Sequence, residues 1–166
     1  MKNFDFISPT KIYFGPEKEK DVGQILYERK ATRILIVIGK NSVVKSGLLG
    51  KVASSLEQYH LTYDILRGVR ANPTFDLVEE GLRTVRDKKL DYILAIGGGS
   101  VIDTAKCIAA NYYYSGNIKD FNLHLANPTN ALPIGVILTI AAAGSELSNS
   151  CVIQDDETGI KMGFNS

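Results

Sequence analysis

A glycine-rich turn is the segment of this sequence best suited to binding a ligand. Gly97, Gly98, Gly99 and Ser100 follow an apolar run at residues 93–96 and precede a helical pattern at residues 101–110. Glycines let the backbone approach an anion closely, and the free amide groups at the start of a helix then point toward that anion. From the residues alone, the turn predicts either a phosphate-binding loop or a tight connection between a strand and a helix.

The turn matches neither of two common nucleotide-binding motifs. Gly97 and Gly99 satisfy the first two positions of the GxGxxG fingerprint, but Ile102 stands where the third glycine belongs. Asp120 lies at roughly the 20-residue separation expected for the acid of that fingerprint. It sits in a polar stretch, however, and not at the end of a strand. The Gly-Lys-Ser/Thr ending of a P-loop is also missing.

The helix after the turn carries polar residues that have a structural explanation as well. Ser100 and Asp103 have the spacing of a capping box, in which two side chains satisfy backbone amides at the start of a helix. For Asp103 this role is compatible with ligand binding, and the spacing does not separate the two. Lys106 lies one turn further along, and its position by itself predicts a surface lysine.

A second polar turn, Gly39-Lys40-Asn41-Ser42, follows the apolar run at residues 34–38. In dinucleotide-binding folds, an acid at the end of a strand binds the ribose hydroxyls of adenosine, whereas a cationic site accepts a 2′-phosphate. This turn contains no acid. Taken without other information, it has the pattern of an ordinary polar turn.

The histidines and cysteines predict no metal site. A catalytic metal site needs several ligands, usually with two or three histidines close together. His60 and His124 are the only histidines, and we expect both on the surface. Cys107 and Cys151 lack metal-binding spacing, so we expect two buried free thiols in a reducing compartment. We therefore expect a cytoplasmic location and no catalytic machinery within this chain.

Composition excludes other classes of protein. A chain of 166 residues with 45% hydrophobic and 22% charged residues fits one globular domain. The net charge of +1 argues against a nucleic-acid partner, which requires a basic excess. No apolar run approaches the roughly 20 residues that span a bilayer. The first residues also lack the apolar segment of a secretory signal, so we expect no membrane association.

Strand and helix patterns alternate along the chain. A continuous apolar run rich in β-branched residues predicts a strand at residues 34–38, and further strands are predicted at 61–66, 92–96, 132–138 and 151–153. Helical spacing predicts helices at 18–29, 48–59 and 101–110 and from Thr74 onward. This alternation indicates an α/β domain with a mostly parallel, Rossmann-like sheet and flanking helices. Residues 4–14, which alternate around Ser8 and Pro9, predict an additional N-terminal β-hairpin.

Together these segments resemble the N-terminal domain of the iron-containing alcohol dehydrogenases, in the butanol dehydrogenase-like branch. The resemblance covers essentially the whole chain. It rests on PTKIYFG at 9–15, VRANP at 69–73, IGGGSVIDTAK at 96–106, LPIG at 132–135 and TIAAAGSE at 139–146. The glycine-serine block with its Asp-x-Ala-Lys continuation is the most specific of these motifs.

The resemblance implies a dinucleotide-binding domain over residues 1–166, with the fold of the dehydroquinate synthase-like N-terminal domain. Residues 97–100 would hold the cofactor pyrophosphate, with Asp103 nearby. The rest of the cleft would be lined by Asn72, Thr139, Ser145 and Lys161. The family usually has Thr in place of Ala143, and many members of this branch have Asn in place of Ser148, which puts the exact cofactor geometry in question.

The resemblance also implies a metal and an activity that this chain does not complete. Family members carry a divalent metal, Fe or Zn, on an Asp and three His of an all-helical C-terminal domain. We expect that domain to lie beyond residue 166 and this chain alone to be inactive. The complete enzyme would convert small alcohols and aldehydes. A non-catalytic nucleotide-binding module, or a domain that no longer binds well, are the alternatives.

Two further expectations depend on the resemblance. An NAD-preferring member of the family would present an Asp where this chain has Gly39. With Lys40, Asn41 and Ser42 beside it, the turn predicts a preference for NADP over NAD, unless it simply points to solvent. The strand around residues 12–14 resembles a family segment that pairs across a homodimer, so we expect a homo-oligomer.

Overall fold

The computed structural model describes residues 9–166, in which strands and helices alternate. After a single 3-10 turn at Lys18–Asp21, the helices are α1 (Val22–Glu28), α2 (Ser42–Lys45), α3 (Leu48–Gln58), α4 (Phe75–Asp87) and α5 (Gly99–Asn111). The strands are β1 (Arg33–Gly39), β2 (Thr62–Val69), β3 (Tyr92–Gly97), β4 (Ile134–Leu138), β5 (Ser150–Gln154) and β6 (Lys161–Asn165). The predicted helices and strands between residues 18 and 153 are confirmed, with bounds that shift by a few residues.

Four of the strands form one parallel sheet in the order β2-β1-β3-β4. β1 lies at its centre, and residues 34–38 have no exposed surface. Side chains alternate between the faces of a strand. Leu35 and Val37 therefore join the apolar cluster formed with α4 and α5, and Ile34, Ile36 and Ile38 join the cluster formed with α1 and α3. The sheet is covered on both faces, as the continuous β-branched runs predict.

A small antiparallel hairpin of β5 and β6 packs against α5. Cys151 and Phe164 face each other across the hairpin, and both are buried in the same apolar cluster as α5. β6 was not predicted, because its sequence Lys-Met-Gly-Phe-Asn has neither a β-branched run nor regular alternation. Its position depends on pairing with β5 and on the burial of Phe164.

The predicted N-terminal hairpin does not form in the described part of the chain. Residues 4–8 lie outside the described residues, and residues 9–14, the expected second arm, adopt no strand. Ile12 is 65% exposed and Phe14 is 96% exposed. A two-stranded hairpin needs a surface to pack on, and these exposed side chains have none among the described residues. Within residues 9–166, no helix is long and apolar enough to cross a membrane.

Candidate functional site

The two predicted turns lie beyond the carboxyl ends of neighbouring strands of the parallel sheet. β1 ends at Gly39 and β3 ends at Gly97, and the two strands are neighbours with Ile38 opposite Ile96. The chain leaves β1 toward β2 on one side of the sheet and later leaves β3 toward β4 on the other. In open α/β sheets, ligands bind in the crevice at such a switch point, beyond the carboxyl ends of the strands.

The glycine turn places the start of α5 at this crevice, and no side chain of the described residues caps this end of the helix. Gly98 is the N-cap residue, and within residues 9–166 no side chain accepts a capping hydrogen bond from the amides that begin α5. The expected capping box between Ser100 and Asp103 is therefore wrong. The amide groups of the first turn of a helix have no partner within the helix. Left uncapped at the head of a 13-residue helix, they suit the binding of an anionic group such as a pyrophosphate.

Close packing explains two of the glycines. A Cβ at Gly97 would lie 2.5 Å from Cγ2 of Val101, and a Cβ at Gly98 would lie 2.7 Å from Cγ2 of Ile140. At Gly99 a Cβ would have only the Cβ of Ser145 within contact range, at 4.0 Å. Gly97 and Gly98 are thus packed closely against Val101 and Ile140, whereas Gly99 faces open space, which leaves room for a phosphate.

Asp103 bonds to residues far away in the sequence. Its carboxylate accepts hydrogen bonds from Oγ of Ser145 at 2.7 Å and from the backbone N–H of Val152 at 3.2 Å. The side chain is partly buried between α5 and β5. Asp103 therefore contributes to the wall of the site and ties β5 to the helix that carries the glycine turn.

Lys106 is not the surface lysine that its position predicts. Its ammonium is half-buried and donates to the backbone carbonyls of Ser145, Ser148 and Ser150 at 2.6, 2.7 and 2.8 Å. Oγ of Ser145 lies 3.2 Å away. Burial lowers the pKa of Lys106, while the negative charge of Asp103 opposes this change. The sequence gives no local signal for these contacts, because every acceptor lies about 40 residues further along the chain.

A cavity of about 150 Å³ lies between α5 and the β5–β6 hairpin. Its lining brings together four of the predicted cofactor residues with three that were not predicted: Asn72, Ser100, Asp103 and Lys161, with Pro73, Val152 and Gln154. Small-molecule pockets measure roughly 300–1,000 Å³, so this cavity fits one group of a dinucleotide and the remainder would lie on the open surface. The alternation of buried Cys151 and Ile153 with outward Val152 is the signal that could have identified this wall.

The other predicted residues lie around this cavity or apart from it. The backbone N–H of Thr139 donates to the carbonyl of Gly97 at 3.1 Å, which holds Thr139 beside the glycine turn. Ser145 bonds to Asp103, as described above. The turn at Gly39, Lys40, Asn41 and Ser42 does not line the cavity. It lies at the end of the neighbouring strand β1, where Lys40 is exposed.

The two departures from the family pattern also lie outside the cavity lining. Ala143 is exposed. Oγ of Ser148 lies 2.6 Å from Oγ of Ser150 and accepts a hydrogen bond from the Ser150 N–H at 3.0 Å. Ser148 therefore closes the turn before β5 and does not face the cavity.

Residues 9–166 contain no group of three His, Cys, Asp or Glu side chains placed to hold a metal ion. His60 and His124 are exposed, as expected. Cys107 and Cys151 are buried free thiols, which confirms that prediction. The neighbouring thiol of Cys107 and burial both raise the pKa of Cys151, so this thiol stays protonated and unreactive.

The fold and site define a class of protein: a Rossmann-like α/β domain with an uncapped, glycine-rich helix start at the switch point of its sheet. The family model described as iron-containing alcohol dehydrogenase matches residues 9–166, and the chain therefore belongs to this family.

Individual relatives agree with this assignment. NADH-dependent butanol dehydrogenase A of Clostridium acetobutylicum is 37% identical over 98% of this chain and 42% of its own length. The NADPH-dependent aldehyde reductase YqhD of Escherichia coli is 35% identical over 100% of this chain and 43% of its own length.

A solved structure has the same fold. The crystal structure of NADH-dependent butanol dehydrogenase A from Thermotoga maritima superposes with a TM-score of 0.97 at 34% identity, over 100% of this chain and 42% of that one. The chain thus spans less than half the length of the relatives it matches.

Proposed function

We propose that this chain is the NAD(P)-binding domain of a metal-assisted alcohol/aldehyde oxidoreductase of the butanol dehydrogenase type. The observation that carries this proposal is the uncapped start of α5 behind three glycines, at the switch point of the parallel sheet. Relatives named as NADH-dependent and NADPH-dependent dehydrogenases and reductases support it.

Each site residue has a role in this proposal. The backbone amides of Gly98, Gly99 and Ser100 bind the pyrophosphate at the uncapped start of α5. Asp103, Asn72 and Lys161 bind the part of the cofactor that enters the cavity, since all three line it. Thr139 supports the glycine turn through its bond to Gly97, and Ser145 supports Asp103. The nicotinamide cofactor, when bound, supplies or accepts the hydride.

The metal belongs to a part of the enzyme that residues 9–166 do not supply. Residues 9–166 offer no set of ligands, and we propose that an all-helical C-terminal domain beyond residues 1–166 holds a divalent Fe or Zn ion. Such an ion polarises the oxygen of an alcohol or aldehyde as a Lewis acid. Within this chain, residues bind and orient the cofactor and hold no reacting oxygen.

We further propose that the turn after β1 gives a preference for NADP over NAD. Gly39 leaves the end of β1 without a carboxylate that would repel a 2′-phosphate. Lys40 is exposed there, and Asn41 and Ser42 add hydrogen-bond donors. One charge-assisted hydrogen bond contributes about 1.5–3 kcal/mol, which corresponds to a preference of roughly 10- to 100-fold. The relatives include proteins named for either cofactor, so the preference rests on this turn.

Calorimetric titration of NADPH and NADH at one low salt concentration tests both proposals. A Cβ at Gly39 would lie 3.5 Å from the carbonyl oxygen of Val69, an ordinary contact, so Gly39→Asp should fold normally. We expect Gly39→Asp and Lys40→Ala to lower the affinity for NADPH while the affinity for NADH is kept or increased. Lys45→Ala, which removes the same charge from the end of α2, is the control.

The two proposals fail in different ways. Equal affinities for NADPH and NADH in the unmodified protein, or a preference for NADH that neither substitution changes, would reject the NADP preference alone. Failure of both cofactors to bind to the folded protein would reject the proposed function.

A further inference from the structure

The ammonium of Lys106 occupies a cage of backbone oxygens. An ammonium group has three N–H donors, and the carbonyls of Ser145, Ser148 and Ser150 accept from it at 2.6, 2.7 and 2.8 Å. Three carbonyl dipoles that converge on one point repel each other, and a positive charge at that point offsets the repulsion. The segment from Ser145 to Ser150 is therefore folded around this cation.

Asp103 holds the same segment from one turn earlier on α5. It accepts from Oγ of Ser145 at 2.7 Å and from the N–H of Val152 at 3.2 Å. Residues three apart on a helix lie on the same face, so Asp103 and Lys106 act together. Asp103 accepts hydrogen bonds from the segment at residues 145–152, and Lys106 donates hydrogen bonds to its carbonyls. We call residues 145–152 the clamped segment.

The clamped segment forms part of the wall of the candidate cofactor cavity. Val152 and Gln154 of β5 line one side of the cavity, and Ser100 and Asp103 of α5 line the other. The bonds of Lys106 are made to the residues that lead into β5. Lys106 and Asp103 thus both tie β5 and the residues that lead into it to α5, although Lys106 does not line the cavity itself.

We propose that Lys106 is a positioning residue that fixes the clamped segment against α5, so that the cofactor cavity has its bound shape before the cofactor arrives. The inference deepens the proposed function and rests on it. A site that is already ordered loses less conformational entropy on binding. A lysine that only stabilises helix α5 would affect the whole molecule and not the clamped segment in particular.

Lys106→Met tests this, because methionine keeps the apolar stem of the side chain as far as the ε carbon and removes the ammonium group. We expect amide hydrogen exchange at residues 145–152 to accelerate by about tenfold or more, with exchange in β1 and β3 unchanged. Affinity for NADPH should fall by about tenfold. Ammonium or methylammonium chloride, but not an equal concentration of tetramethylammonium chloride, should restore both, since only the smaller cations can donate N–H groups into the cage.

Two more variants complete the experiment. Lys51→Met, which breaks only the exposed ion pair with Glu19, is the matched control and should change neither measurement. Lys106→Arg keeps the charge but brings a planar group with fixed donor directions. It should fold even if Lys106→Met does not, and should still accelerate exchange at residues 145–152.

The outcomes separate the inference from the proposed function. Unchanged exchange at residues 145–152 in both Lys106 variants, or exchange that accelerates equally in β1 and β3, would overturn the positioning role. If the unmodified protein binds no NADPH, the proposed function fails, and the exchange and rescue measurements still decide whether Lys106 holds the segment. If NADPH binds equally well to a variant with a loosened segment, the link between the clamp and the cofactor is rejected.

Discussion

At the scale of single residues, the side chains after the glycine turn act differently from what their spacing predicts. Ser100 and Asp103 have the spacing of a capping box, but Asp103 bonds to Ser145 and Val152, and the start of α5 is left uncapped. That difference matters for function, because a capped helix start would compete with an anion for the same amides. The backbone of the turn is the binding element, and the side chains around it determine its surroundings.

Substitutions in the turn should separate stability from binding. At Gly98 an added methyl group would meet only the exposed side chain of Ile140, which can move aside. Gly98→Ala should therefore fold normally, yet place a methyl group at the cradle and lower NADPH affinity by about tenfold or more. Gly97→Ala would press on Val101, which is buried, and should cost about 1–3 kcal/mol of stability.

Thermal unfolding measures the stability of the two variants, and calorimetric titration measures their affinity for NADPH. Gly99→Ala is a third variant, in which the added methyl group would lie in open space. If Gly98→Ala bound NADPH as well as the unmodified protein, the amides of the turn would not be the phosphate site.

At the scale of the elements, α1 and α3 cover one face of the sheet through an unusually close approach. A Cβ at Gly23 of α1 would lie 1.9 Å from the backbone carbonyl oxygen of Ser55 on α3. The N–H of Gly23 donates to Oγ of Ser55 at 2.9 Å, and that hydroxyl donates to the carbonyl of Lys20 at 2.6 Å. The two helices can pack this way only while position 23 has no side chain.

Gly23→Ala should force α1 away from α3 and lower the free energy of unfolding by about 2–3 kcal/mol or more, because the obstacle is backbone. Gly50→Ala is the matched control: it lies in α3 with nothing within 4 Å of an added Cβ, and should stabilise the protein by up to about 1 kcal/mol. Urea unfolding of both variants checks the difference. Equal effects would mean that the α1–α3 contact contributes little.

The starts of β1 and β3 are joined by Asp91. Its carboxylate accepts from the N–H of Thr32 at 3.0 Å, from the N–H of Arg33 at 3.0 Å and from the hydroxyl of Thr32. Desolvation would raise the pKa of Asp91, but these hydrogen bonds outweigh it and the pKa is lowered. A carboxylate with a lowered pKa stabilises the fold above its unfolded pKa, and this contribution is lost as the pH falls through the folded value.

Asp91→Ala should therefore lower the free energy of unfolding at pH 7 by about 1–3 kcal/mol, because it removes several hydrogen bonds to a charged acceptor. The difference from the unmodified protein should shrink below a pH of about 4, where the carboxylate begins to be protonated in the unfolded state. Urea unfolding at pH 7 and in steps below pH 4 measures this, with the exposed Asp87→Ala as control. A difference that does not depend on pH would show that packing, and not the charge of Asp91, is responsible.

At the scale of the whole molecule, apolar side chains are exposed in several places along residues 9–166. Ile12, Tyr13 and Phe14 are exposed near the start of the described residues, and Ile140 and Leu147 are exposed beside the candidate site. Exposed apolar surface of this kind favours association. We propose that the protein is a homo-oligomer that pairs through residues 12–14.

Light scattering over a range of concentrations should show a dimer or larger species. Phe14→Ser, which removes the most exposed of these side chains, should lower the average mass, while Tyr27→Ser, an exposed aromatic residue on α1, should not. A monomeric mass for the unmodified protein at high concentration would contradict the proposed association.

The purified 166-residue chain should not convert an aldehyde, because residues 9–166 hold no metal-ligand set. We expect no oxidation of NADPH with butyraldehyde when Fe²⁺ or Zn²⁺ is added, under conditions where calorimetry detects NADPH binding. Metal-dependent turnover by this chain would contradict the assignment of the metal to another domain. Turnover that appears only when residues beyond 166 are included would support it.

Much of the fold is determined by the sequence alone. The continuous apolar runs at residues 34–38 and 92–96 suit strands that a parallel sheet covers on both faces, and the glycines at 97–99 follow one of them directly. The helices reflect the regular spacing of apolar residues in the same way. These features are local, because the pattern of buried residues repeats with the period of the helix or strand and can be recognised within that element alone.

Only the tertiary structure determined the partners of Asp103 and Lys106, the pairing of β6 with β5, and the cavity between them. Residues 12–14 likewise have the alternation of a strand but no partner strand within the described chain. The bonds of Lys106 join residues about 40 positions apart, and no periodicity within one element specifies which distant carbonyls will face a given side chain. That arrangement follows from how the sheet, α5 and the β5–β6 hairpin pack together, and it is this packing that gives the glycine turn its binding site.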